Sequence, residues 1–517
     1  MKQFVIACDL GTGGNKASIY EPDGNSVAEF GCSYPTFHPE PQYHEQRPQD
    51  WWQAIVASIR GLISQTRIDV SQVEAISLSG HSLGCVPIDL AGNLLLESVP
   101  IWSDSRATAE VIDFFQEVNE HDWYLKTGNG FPPPLYTVFK VLWLKQNRPE
   151  TFARCFKILG TKDYINYRLT GKIATDFSYA SGSGIYDLVD WDYDPELLRA
   201  GGLDRSLFAD IVSSTDILGG LTSQAAESLG LPRSVKVVAG GVDNSCMALG
   251  AGNINEGDVY NSLGSSSWIA VTSAKPLLDV QVRPFVFTHV LQGMFNSATS
   301  IFSSGTSLEW VRTQLCRSAM AKGADEQPQE LTYEKIMWLA EQVPPGANRL
   351  FFVPTLAGGT YLEGGPDVRG ALVGIDLSHT QADIMRATLE GIAFGLRVAL
   401  DELRRMTKVS DKMMIFGGGA KSRLWRQIYA DIYNCAVVKS RIDQQTAALG
   451  AAALAAVGTG MWPNFSRIKE LHAIQEVSSP IPANVAVYEA QLPIFKLAAQ
   501  QQSELGSIIR RLKNYDA

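Results

Sequence analysis

The stretch FVIACDLGTGGNKASIYEPDGN, residues 4–25, sets out a plan that the chain repeats. An apolar run leads into a tight glycine turn, a second apolar run follows, and an Asp-Gly turn closes the unit. This order predicts a β-hairpin followed by another turn. Near the middle of the chain, DVYNSLGSSSWIAVTSAKPLLD at 258–279 follows the same order, with LGSSS at 263–267 in place of LGTGG at 10–14. The repetition predicts a duplicated domain.

Helical patterns follow each hairpin. RPQDWWQAIVASIRGLISQ, residues 47–65, has Pro48 and Asp50 as start signals, and apolar residues then recur at helical spacing. SHTQADIMRATLEGIAFGLRVALDELRRM, residues 378–406, is predicted to begin at a Ser378 cap and to form a long helix. Strands that alternate with helices in each half predict an α/β fold.

The length of the chain predicts two domains. Its 517 residues exceed the roughly 250–300 residues at which a single core stops growing. The glycine-containing GNINEGD, residues 252–258, lies at the start of the second repeat and is the expected boundary. We therefore predict an N-terminal domain of residues 1–252 and a C-terminal domain of residues 253–517.

Composition excludes several classes of function. The net charge is −10 at pH 7 and no long basic run occurs, which argues against nucleic-acid or polybasic membrane contacts. Seven cysteines include no C-x-x-C pair, so neither a disulfide framework nor a cysteine zinc site is expected. The opening apolar run is too short for a signal peptide, and no segment approaches the ~18 apolar residues of a membrane helix. We expect a cytoplasmic protein.

The first hairpin turn is a candidate anion site. Successive backbone N–H groups of such a glycine turn can converge on a phosphate, and neighbouring hydroxyl, amide and ammonium groups can add to them. The alternative is an ordinary hairpin turn, because the loop has neither a Walker A pattern nor a Rossmann fingerprint. The candidate ligands are Gly11, Thr12, Gly13, Asn15 and Lys16.

Two further glycine turns could contribute to the same kind of site. Gly264, Ser265 and Ser266 form the turn of the second hairpin and share the alternative of an ordinary turn. MMIFGGGAKSRLWRQIYADIYN, residues 413–434, follows an apolar strand pattern and opens a helix. Backbone at Gly417–Gly419 could therefore approach a nucleotide, with the helix N-terminus behind it. The alternative here is a tight strand-to-helix connection.

A lone acid follows a run of valines at residues 235–238. GGVDNSCMALGAG, residues 240–252, surrounds Asp243 with glycines and small apolar residues. An acid in such a place is commonly a turn residue or a helix N-cap. A carboxylate with small neighbours also leaves room for a substrate to lie against it. The local pattern leaves both interpretations open.

Taken together, these motifs resemble the sugar kinase, Hsp70 and actin superfamily, and specifically the FGGY family of carbohydrate kinases. Residues 370–390, GALVGIDLSHTQADIMRATLE, resemble the second signature of the family through Gly370, Leu372, Gly374, Ile375, Asp383, Ala387 and Glu390. Residues 135–147, LYTVFKVLWLKQN, resemble the first signature through Thr137, Lys140, Trp143 and Asn147, with a departure at Leu135. The resemblance implies two actin-like, ribonuclease H-like domains with a cleft between them.

The resemblance also implies a nucleotide site built from all three turns, with ATP and Mg²⁺ as cofactors. NSLGSSSW resembles the second phosphate loop of the family, and FGGGAKS, which includes Ala420, resembles its adenosine loop. SGTSLEW at 304–310 is similar to a segment that flanks the nucleotide, where Gly305 is the matching position. CDLGTGGNKASIY, residues 8–20, resembles the first phosphate loop of the family, and Asp9 within it is expected to hold Mg²⁺ through water near the transferred phosphate.

In the same family the stretch around Asp243 is catalytic, so the resemblance implies that Asp243 is a general base. Phosphoryl transfer to an alcohol needs the hydroxyl in line with the γ-phosphate and a group that takes its proton. A neighbouring carboxylate can take that proton. Asn244, the next residue, is expected to help bind the sugar.

The sugar is expected to bind the first half through GHSLG, residues 80–84, and PIWSDSRA, residues 100–107. The predicted contacts are His81, Ser82, Leu83 and Asp104. His81 is alternatively a structural histidine, and Leu83 stands where a histidine is expected in xylulokinases. Asp104 and Arg106 either pair structurally or border the sugar.

Three further segments look most like those of the xylulokinase branch: HEQRPQDWW, GTKDYINYRLTG and TDFSYASGSGIYDL. The implied reaction is the phosphorylation of D-xylulose to D-xylulose 5-phosphate. Alternatives are another ketose, a polyol, a sugar acid or an autoinducer-like hydroxyketone. A non-catalytic, actin-like nucleotide-binding sensor is the alternative of a different class, although a sensor has no need for Asp243. Family resemblance also implies a homodimer.

Overall fold

A computed structural model describes residues 4–316, 331–442 and 445–511. Its strands are β1 Phe4–Gly11, β2 Gly14–Tyr20, β3 Ser26–Ser33, β4 Glu45–Gln46, β5 Val73–Gly80, β6 Val86–Ile88, β7 Val99–Pro100, β8 Lys157–Leu159, β9 Thr175–Asp176, β10 Tyr186–Asp187, β11 Asp192–Tyr193, β12 Ile211–Val212, β13 Ile217–Gly220, β14 Lys236–Val242, β15 Val259–Leu263, β16 Ser267–Ser273, β17 Phe285–Thr288, β18 Phe295–Ile301, β19 Phe351–Val353, β20 Ala371–Val373, β21 Lys412–Phe416, β22 Ala436–Ser440 and β23 Ile474–Ser478.

Helices separate the strands. They are α1 Pro48–Thr66, α2 Thr108–Glu117, α3 Glu120–Thr127, α4 Thr137–Asn147, α5 Pro149–Ala153, α6 Thr161–Thr170, α7 Phe177–Ala180, α8 Pro195–Ala200, α9 Ser223–Leu229, α10 Asp243–Gly250, α11 Gly305–Trp310, α12 Tyr333–Glu341, α13 Gln381–Met406, α14 Arg423–Tyr433, α15 Thr446–Gly458, α16 Arg467–Leu471 and α17 Pro482–Ile509. No helix among the described residues is long and apolar enough to cross a membrane.

The two main sheets have the same plan. In the first half the described strands run in the order β13-β14-β5-β1-β2-β3, and in the second half they run β17-β18-β16-β15-β21-β22-β23. In each sheet a meander of three antiparallel strands (β1, β2, β3 and β15, β16, β18) continues into two parallel strands (β5, β14 and β21, β22). This confirms the predicted two-domain α/β fold. The boundary at residue 252 stays a prediction.

Both faces of the first sheet are covered. Ile6, Cys8 and Leu10 of β1 are buried in one core with α1, which begins at Pro48 as expected. Val5 and Ala7, which alternate with them, are buried against the alanine-rich α15. Because successive side chains of a strand point to opposite faces, a helix from the second half of the chain packs on the sheet of the first.

The helices α10 and α15 cross at a pair of glycines. A Cβ atom at Gly250 would lie 1.8 Å from the carbonyl oxygen of Thr446, and one at Gly450 would lie 1.9 Å from that of Cys246. Only glycine permits this backbone approach. The crossing therefore fixes the end of α10 against the second half of the chain.

The predicted start of the long helix is wrong by two residues. α13 begins at Gln381, and Thr380 is its N-cap in a capping box with Asp383. Asp383 accepts hydrogen bonds from the backbone and the hydroxyl of Thr380, at 2.8 and 2.6 Å. The hydroxyl of Ser378 instead donates to Asp376 in the preceding turn, at 2.6 Å. Serine and threonine can both serve as N-caps, and here the cap is Thr380, which has an acid three residues further on.

Candidate active site

A β-bulge sits immediately before Asp243. The register between β14 and β5 shifts between Val238 and Gly241. Gly240 has φ of +73° and a Cβ atom there would lie 2.1 Å from the carbonyl oxygen of Leu78, so no other residue fits without distortion. Bulges re-aim the chain next to active sites. After the bulge, β14 pairs with β5 again at Gly241 and Val242 and ends there, so Asp243 is the first residue of α10.

Buried polar side chains of α6 satisfy the backbone that the bulge leaves unpaired. The carbonyl oxygen of Ala239 accepts hydrogen bonds from Lys162 Nζ at 3.3 Å and Asn166 Nδ2 at 2.8 Å. Lys162 is fully buried and its ammonium group lies 2.6 Å from Asp163 and 2.8 Å from Asp176. A buried charge is tolerated when it is paired in this way. The GTKDYINYRLTG segment therefore holds the bulge in place.

The same network continues to the residue before Asp243. Asp176 accepts hydrogen bonds from the hydroxyls of Ser178 and of Ser214, the latter at 2.7 Å. Ser178 Oγ in turn accepts the backbone N–H of Val242 at 3.0 Å. A chain of buried hydrogen bonds thus links the TDFSYASGSGIYDL segment to the backbone that carries Asp243.

Asp243 is half-buried at the start of α10. Its Oδ1 accepts the backbone N–H of Asn244 at 2.8 Å, and Val242 is the N-cap of the helix. Burial raises the pKa of the Asp243 carboxyl to about 7, and the negative charge of nearby Asp9 adds to the rise. Asn244 contacts the second half, because its carbonyl oxygen accepts from Asn296 Nδ2 at 3.3 Å. The acid therefore lies at the junction of the halves.

Asp9 is the second acid of this site and comes near the end of β1. Ser79 Oγ donates to Asp9 Oδ1 at 2.9 Å from the neighbouring strand. Lys16 lies opposite Asp9 across the hairpin. Burial raises the pKa of Asp9, while the bond from Ser79 and the charge of Lys16 oppose the rise. The structure brings Asp9 and Asp243 within electrostatic reach of each other.

The first glycine turn, residues 11–14, is braced by hydrogen bonds from the N-terminal half. Tyr34 donates its hydroxyl to the carbonyl oxygen of Gly11. Gln46 Nε2 donates to the carbonyl oxygen of Thr12 at 2.7 Å, and Trp102 Nε1 donates to the hydroxyl of Thr12 at 2.9 Å. Trp102 comes from the predicted sugar-side segment. The loop is therefore tied directly to that segment.

One predicted ligand of this loop points elsewhere. The side chain of Asn15 is buried, and its Nδ2 donates to Ser58 Oγ of α1 at 2.6 Å. Lys16, the next residue of β2, is exposed. Successive residues of a strand face opposite sides of the sheet. The structure therefore places Asn15 in the core beneath the loop, while Gly11, Thr12, Gly13 and Lys16 remain at its open side.

The second glycine turn, residues 264–266, packs against the start of α11. The backbone N–H of Gly305 donates to the carbonyl oxygen of Gly264 at 3.0 Å, and that of Ser304 donates to Ser265 at the same distance. A Cβ atom at Gly305 would lie 2.6 Å from the Gly264 oxygen. Gly264 and Ser265 are exposed and Ser266 is half-buried. The SGTSLEW segment therefore supports this loop directly.

The third glycine turn closes beside the second. Gly417 has φ of +94°, and a Cβ atom there would lie 2.4 Å from the carbonyl oxygen of Leu263. A 3₁₀ turn at Gly418–Lys421 separates it from α14, which is capped by Ser422. The turn therefore does not open the helix directly. Ala420 is fully buried, so it supports the turn from below.

A cavity of about 1070 Å³ lies where these turns meet. Of the predicted nucleotide ligands it is lined by Gly264, Ser265, Gly305, Gly418 and Gly419. Its volume suits a nucleotide, since small-molecule sites commonly span roughly 300–1,000 Å³. The cavity therefore gathers residues from three separate stretches of the second half.

Sequence reasoning missed one wall of this cavity. α12 contributes Tyr333, Met337 and Trp338, and Glu309 of α11 accepts a hydrogen bond from the Tyr333 hydroxyl at 2.8 Å. Tyr333 and Trp338 are each about half exposed, at 50% and 51%. Aromatic faces open to a cavity suit a flat heterocycle. The available signal was the spacing of these large side chains along one face of a helix, which is more often a core pattern.

The predicted sugar-side residues lie close together but are buried. His81 packs edge-on against Trp51 with ring centroids 5.6 Å apart, and burial lowers the pKa of its imidazole to about 3. Ser82 is buried, and Leu83 is buried with φ of +58°, which is strained for a leucine. Lys140 of the first signature donates to the carbonyl oxygens of Leu83 and Ile101, at 2.9 and 2.6 Å. It joins the two predicted sugar-side segments.

The structure shows an ion pair at Asp104. Its carboxylate accepts Arg106 Nη2 at 2.7 Å and the backbone N–H of His44 at 2.8 Å, and its side chain is fully buried. Arg106 also pairs with Glu45 at 2.6 Å and lies over the ring of Tyr43. Of the two roles that the sequence left open for Asp104, structural pairing is the one observed.

Comparison with known proteins assigns the chain to a class. Residues 4–250 match the FGGY family of carbohydrate kinases, N-terminal domain, and residues 259–459 match the C-terminal domain of the same family. The chain belongs to the FGGY family of carbohydrate kinases, whose members use ATP, and it is a sugar kinase. Membership of an enzyme family favours catalysis over a sensor role.

The relatives of this chain are named for two different substrates, xylulose and gluconate. The chain is 29% identical over 513 residues to xylulose kinase from Bacillus subtilis, covering 99% of both chains. It is 27% identical to gluconokinase from the same organism over 526 aligned positions, again covering 99% of both. The crystal structure of xylulose kinase from Rhodospirillum rubrum matches with a TM-score of 0.88 at 27% identity, covering 98% of this chain and 100% of the other.

Proposed function

We propose that this sugar kinase transfers the γ-phosphate of ATP to D-xylulose and releases D-xylulose 5-phosphate and ADP. The observation that carries the chemistry is the position of Asp243 beside Asp9, with a pKa raised to about 7 by burial. A base works best when its pKa lies near the working pH. The D-xylulose assignment rests on the similarity to xylulose kinases over nearly the whole chain.

Asp243 is the proposed general base. The 5-hydroxyl oxygen of the sugar forms a bond to the γ-phosphorus while the bond from that phosphorus to the β,γ-bridging oxygen breaks. Asp243 accepts the hydroxyl proton, and ADP leaves with the electron pair of the broken bond. The bulge at Gly240 and the hydrogen bond from Val242 to Ser178 orient the carboxylate for this transfer.

Nucleotide and sugar are proposed to bind on opposite sides of this acid. The cavity between the second and third glycine turns is the proposed adenosine site, with Tyr333 and Trp338 against the base. The turn at Gly11–Gly14 is the proposed cradle for the terminal phosphates. Asn244 and the segment at 80–84 border the proposed sugar site.

Mg²⁺ is the proposed second cofactor, and Asp9 is the carboxylate proposed to hold it. Among the described residues no three His, Cys, Asp or Glu side chains cluster as a metal site. Mg²⁺ bound to nucleotides commonly takes one or two carboxylates, with phosphates and water completing its shell, so Asp9 alone would be sufficient. When bound, the ion neutralises charge on the phosphates. Asp9 would hold it through water, leaving Asp243 to take the proton.

Gluconate is the second candidate substrate. Gluconokinases are similar over the same length, and Leu83 departs from the xylulokinase pattern. A sugar acid carries a negative charge. Arg106 of the predicted sugar-side segments and Lys140, which contacts both segments, are committed to protein partners. This arrangement favours a neutral ketose. Another ketose, a polyol and a hydroxyketone remain in the substrate panel.

The test is ADP release from the purified protein with ATP and Mg²⁺, measured across D-xylulose, D-ribulose, gluconate, glycerol and a hydroxyketone. We expect the highest kcat/KM with D-xylulose, and the phosphate on its 5-oxygen by ³¹P and ¹³C spectroscopy. A higher kcat/KM with gluconate would overturn the assignment of D-xylulose as the substrate. If Asp243→Asn left turnover with D-xylulose unchanged, the assignment of Asp243 as the general base would be overturned.

A further inference from the structure

The carbonyl groups of the first glycine turn, residues 11–14, are held by side chains and backbone of the N-terminal half. The Gly11 oxygen accepts the Tyr34 hydroxyl, and the Thr12 oxygen accepts Gln46 Nε2 at 2.7 Å. The Gly13 oxygen accepts the backbone N–H of Tyr34 at 3.4 Å. Tyr34 and Gln46 lie in adjoining segments, since Gln46 Nε2 also donates to Thr36 Oγ1 at 2.8 Å. Successive peptide groups of the turn are therefore fixed through their oxygens.

This arrangement leaves the N–H groups of the turn directed the other way. The peptide bonds of the turn are trans, and in a planar trans peptide the C=O and the N–H point in opposite directions. The N–H of Thr12 is therefore opposite to the Gly11 oxygen, and the N–H of Gly13 is opposite to the Thr12 oxygen. Neither N–H has an acceptor among residues 4–316, 331–442 and 445–511, and Gly13 is exposed. Adjacent N–H groups left open in this way can bind an anion.

Gln46 holds its part of the turn in a fixed orientation. Its side chain is fully buried in β4. Trp51 Nε1 donates to Gln46 Oε1 at 2.8 Å, and an indole N–H can only donate. The amide oxygen must therefore face Trp51, and the two N–H groups of the amide nitrogen must face the oxygens of Thr12 and Thr36. Every hydrogen-bonding direction that matters for the turn is set by a partner.

We propose that Gln46 is a positioning residue for phosphoryl transfer, which keeps the N–H of Gly13 directed at the terminal phosphates of the nucleotide. The proposal rests on the proposed function, in which this turn cradles those phosphates. Tyr34 has the same task at the preceding peptide, because it holds the Gly11 oxygen and so directs the N–H of Thr12.

Without Gln46, the peptide between Thr12 and Gly13 is free to rotate. Glycine restricts such a rotation less than any other residue, and no atom lies within 4 Å of a Cβ atom built at Gly13. A rotated peptide would present the Thr12 oxygen to the phosphates in place of the Gly13 N–H. An attractive hydrogen bond would then become a repulsion between an oxygen and an anion. The loss should therefore fall on the binding of phosphate and not on the binding of adenosine.

The first experiment measures the binding of adenosine, and of the β,γ-imido analogue of ATP with Mg²⁺, by calorimetry. Gln46→Met and Tyr34→Phe should each weaken binding of the analogue about tenfold, the effect of losing one hydrogen bond to a charged group. The affinity for adenosine should not change. The matched control is Gln53→Met, the same change at an exposed position of α1, which should bind both ligands as the native chain does.

The outcomes of this experiment separate the role of Gln46 from the nucleotide site itself. Native affinity for the analogue in Gln46→Met, or an equal loss of affinity for both ligands, would overturn the role of Gln46. Tyr34→Phe removes a single oxygen atom, so it decides the question by the same criteria where Gln46→Met does not fold. A native chain that binds neither ligand would overturn the proposed nucleotide site, and this proposal with it.

The second experiment observes the N–H groups directly by ¹H–¹⁵N NMR of the chain labelled with ¹⁵N-glycine. The Gly13 resonance is assigned by its absence in Gly13→Ala. In the native chain the Gly13 amide proton should move downfield when the ATP analogue binds and should stay in place when adenosine binds. In Gln46→Met, saturated with the analogue, the downfield shift should be lost. A shift of equal size in the native chain and in Gln46→Met would show that Gln46 does not direct this N–H.

Discussion

Ser178 Oγ accepts a hydrogen bond from the backbone N–H of Val242 at 3.0 Å, and so fixes the residue that precedes Asp243. The same hydroxyl donates to Asp176, whose other oxygen lies 2.8 Å from the ammonium group of Lys162. The position of the acid is thus set by residues far from it in sequence.

Ser178→Ala should lower kcat about tenfold and leave KM for ATP nearly unchanged, because the carboxylate loses its alignment while the nucleotide cavity is untouched. The N–H of Val242 would be left unpaired in a buried place, which costs roughly 1–3 kcal/mol of unfolding free energy. Ser178→Thr keeps the hydroxyl and should recover most of kcat. Steady-state kinetics and denaturant unfolding of both variants distinguish a loss of Asp243 alignment from a loss of the fold. Equal losses in kcat for Ser178→Ala and Ser178→Thr would contradict the role of the hydrogen bond.

Asp243→Asn should reduce kcat by roughly 10²–10⁴-fold, the usual size of a general-base contribution. The change keeps the shape of the side chain but removes the proton acceptor, so ATP binding by calorimetry should stay close to the native value. Asp190→Asn, at an exposed position on the N-terminal half, is the matched control and should have native kcat. Native turnover in Asp243→Asn would remove this residue from the mechanism.

The raised pKa of Asp243 predicts an acid limb in the pH profile. The base must be ionised, so kcat/KM should fall about tenfold per pH unit below its pKa, which lies near 7 in the free enzyme. The carboxyl binds its proton more tightly in the folded than in the unfolded chain. Its contribution to stability is therefore present below about pH 4, the ordinary range of an aspartate, and is lost as the pH rises through about 7.

Asp243→Asn cannot ionise and should lose this part of the pH dependence. The melting temperatures of the native and variant proteins are compared from about pH 5 to about pH 8, a range that includes the raised pKa of Asp243. The variant should gain stability relative to the native chain as pH rises. Parallel curves for the two proteins would show that the Asp243 carboxyl titrates at its ordinary pKa.

Gly418→Val should weaken ATP binding and spare sugar binding. No atom lies within 4 Å of a Cβ atom placed at Gly418, so the new side chain projects into the nucleotide cavity without disturbing the fold. Gly417→Val is the contrasting variant, because its backbone has φ of +94° and its Cβ would meet Leu263. Calorimetry with each ligand and a melting curve distinguish them: the first should lose affinity for ATP alone, and the second should lose stability. Equal losses for both ligands in Gly418→Val would argue against the cavity as the nucleotide site.

Local sequence patterns were sufficient for the duplicated hairpins and the glycine turns. Tight turns need particular residues, and apolar runs beside them need a core. The same patterns could not give the orientation of Asn15, because which face of β2 is buried depends on where α1 packs. They also could not give the network from Lys162 to Ser178, whose members meet only when α6, β9 and α7 come together. The α12 wall of the cavity was missed because exposed aromatic residues on a helix resemble ordinary core positions.

The crossing at Gly250 and Gly450 bears on how the chain can be divided. Because α15 forms one of the two layers on the sheet of the first half, a fragment ending at residue 252 would present a whole apolar sheet face to water. We expect such a fragment to aggregate when produced alone, and to become stable only when a fragment beginning at residue 253 is produced with it. The two halves would then be complementary parts of one folding unit. They would be held together by α15, which the second half contributes to the first, as well as by the peptide that connects them.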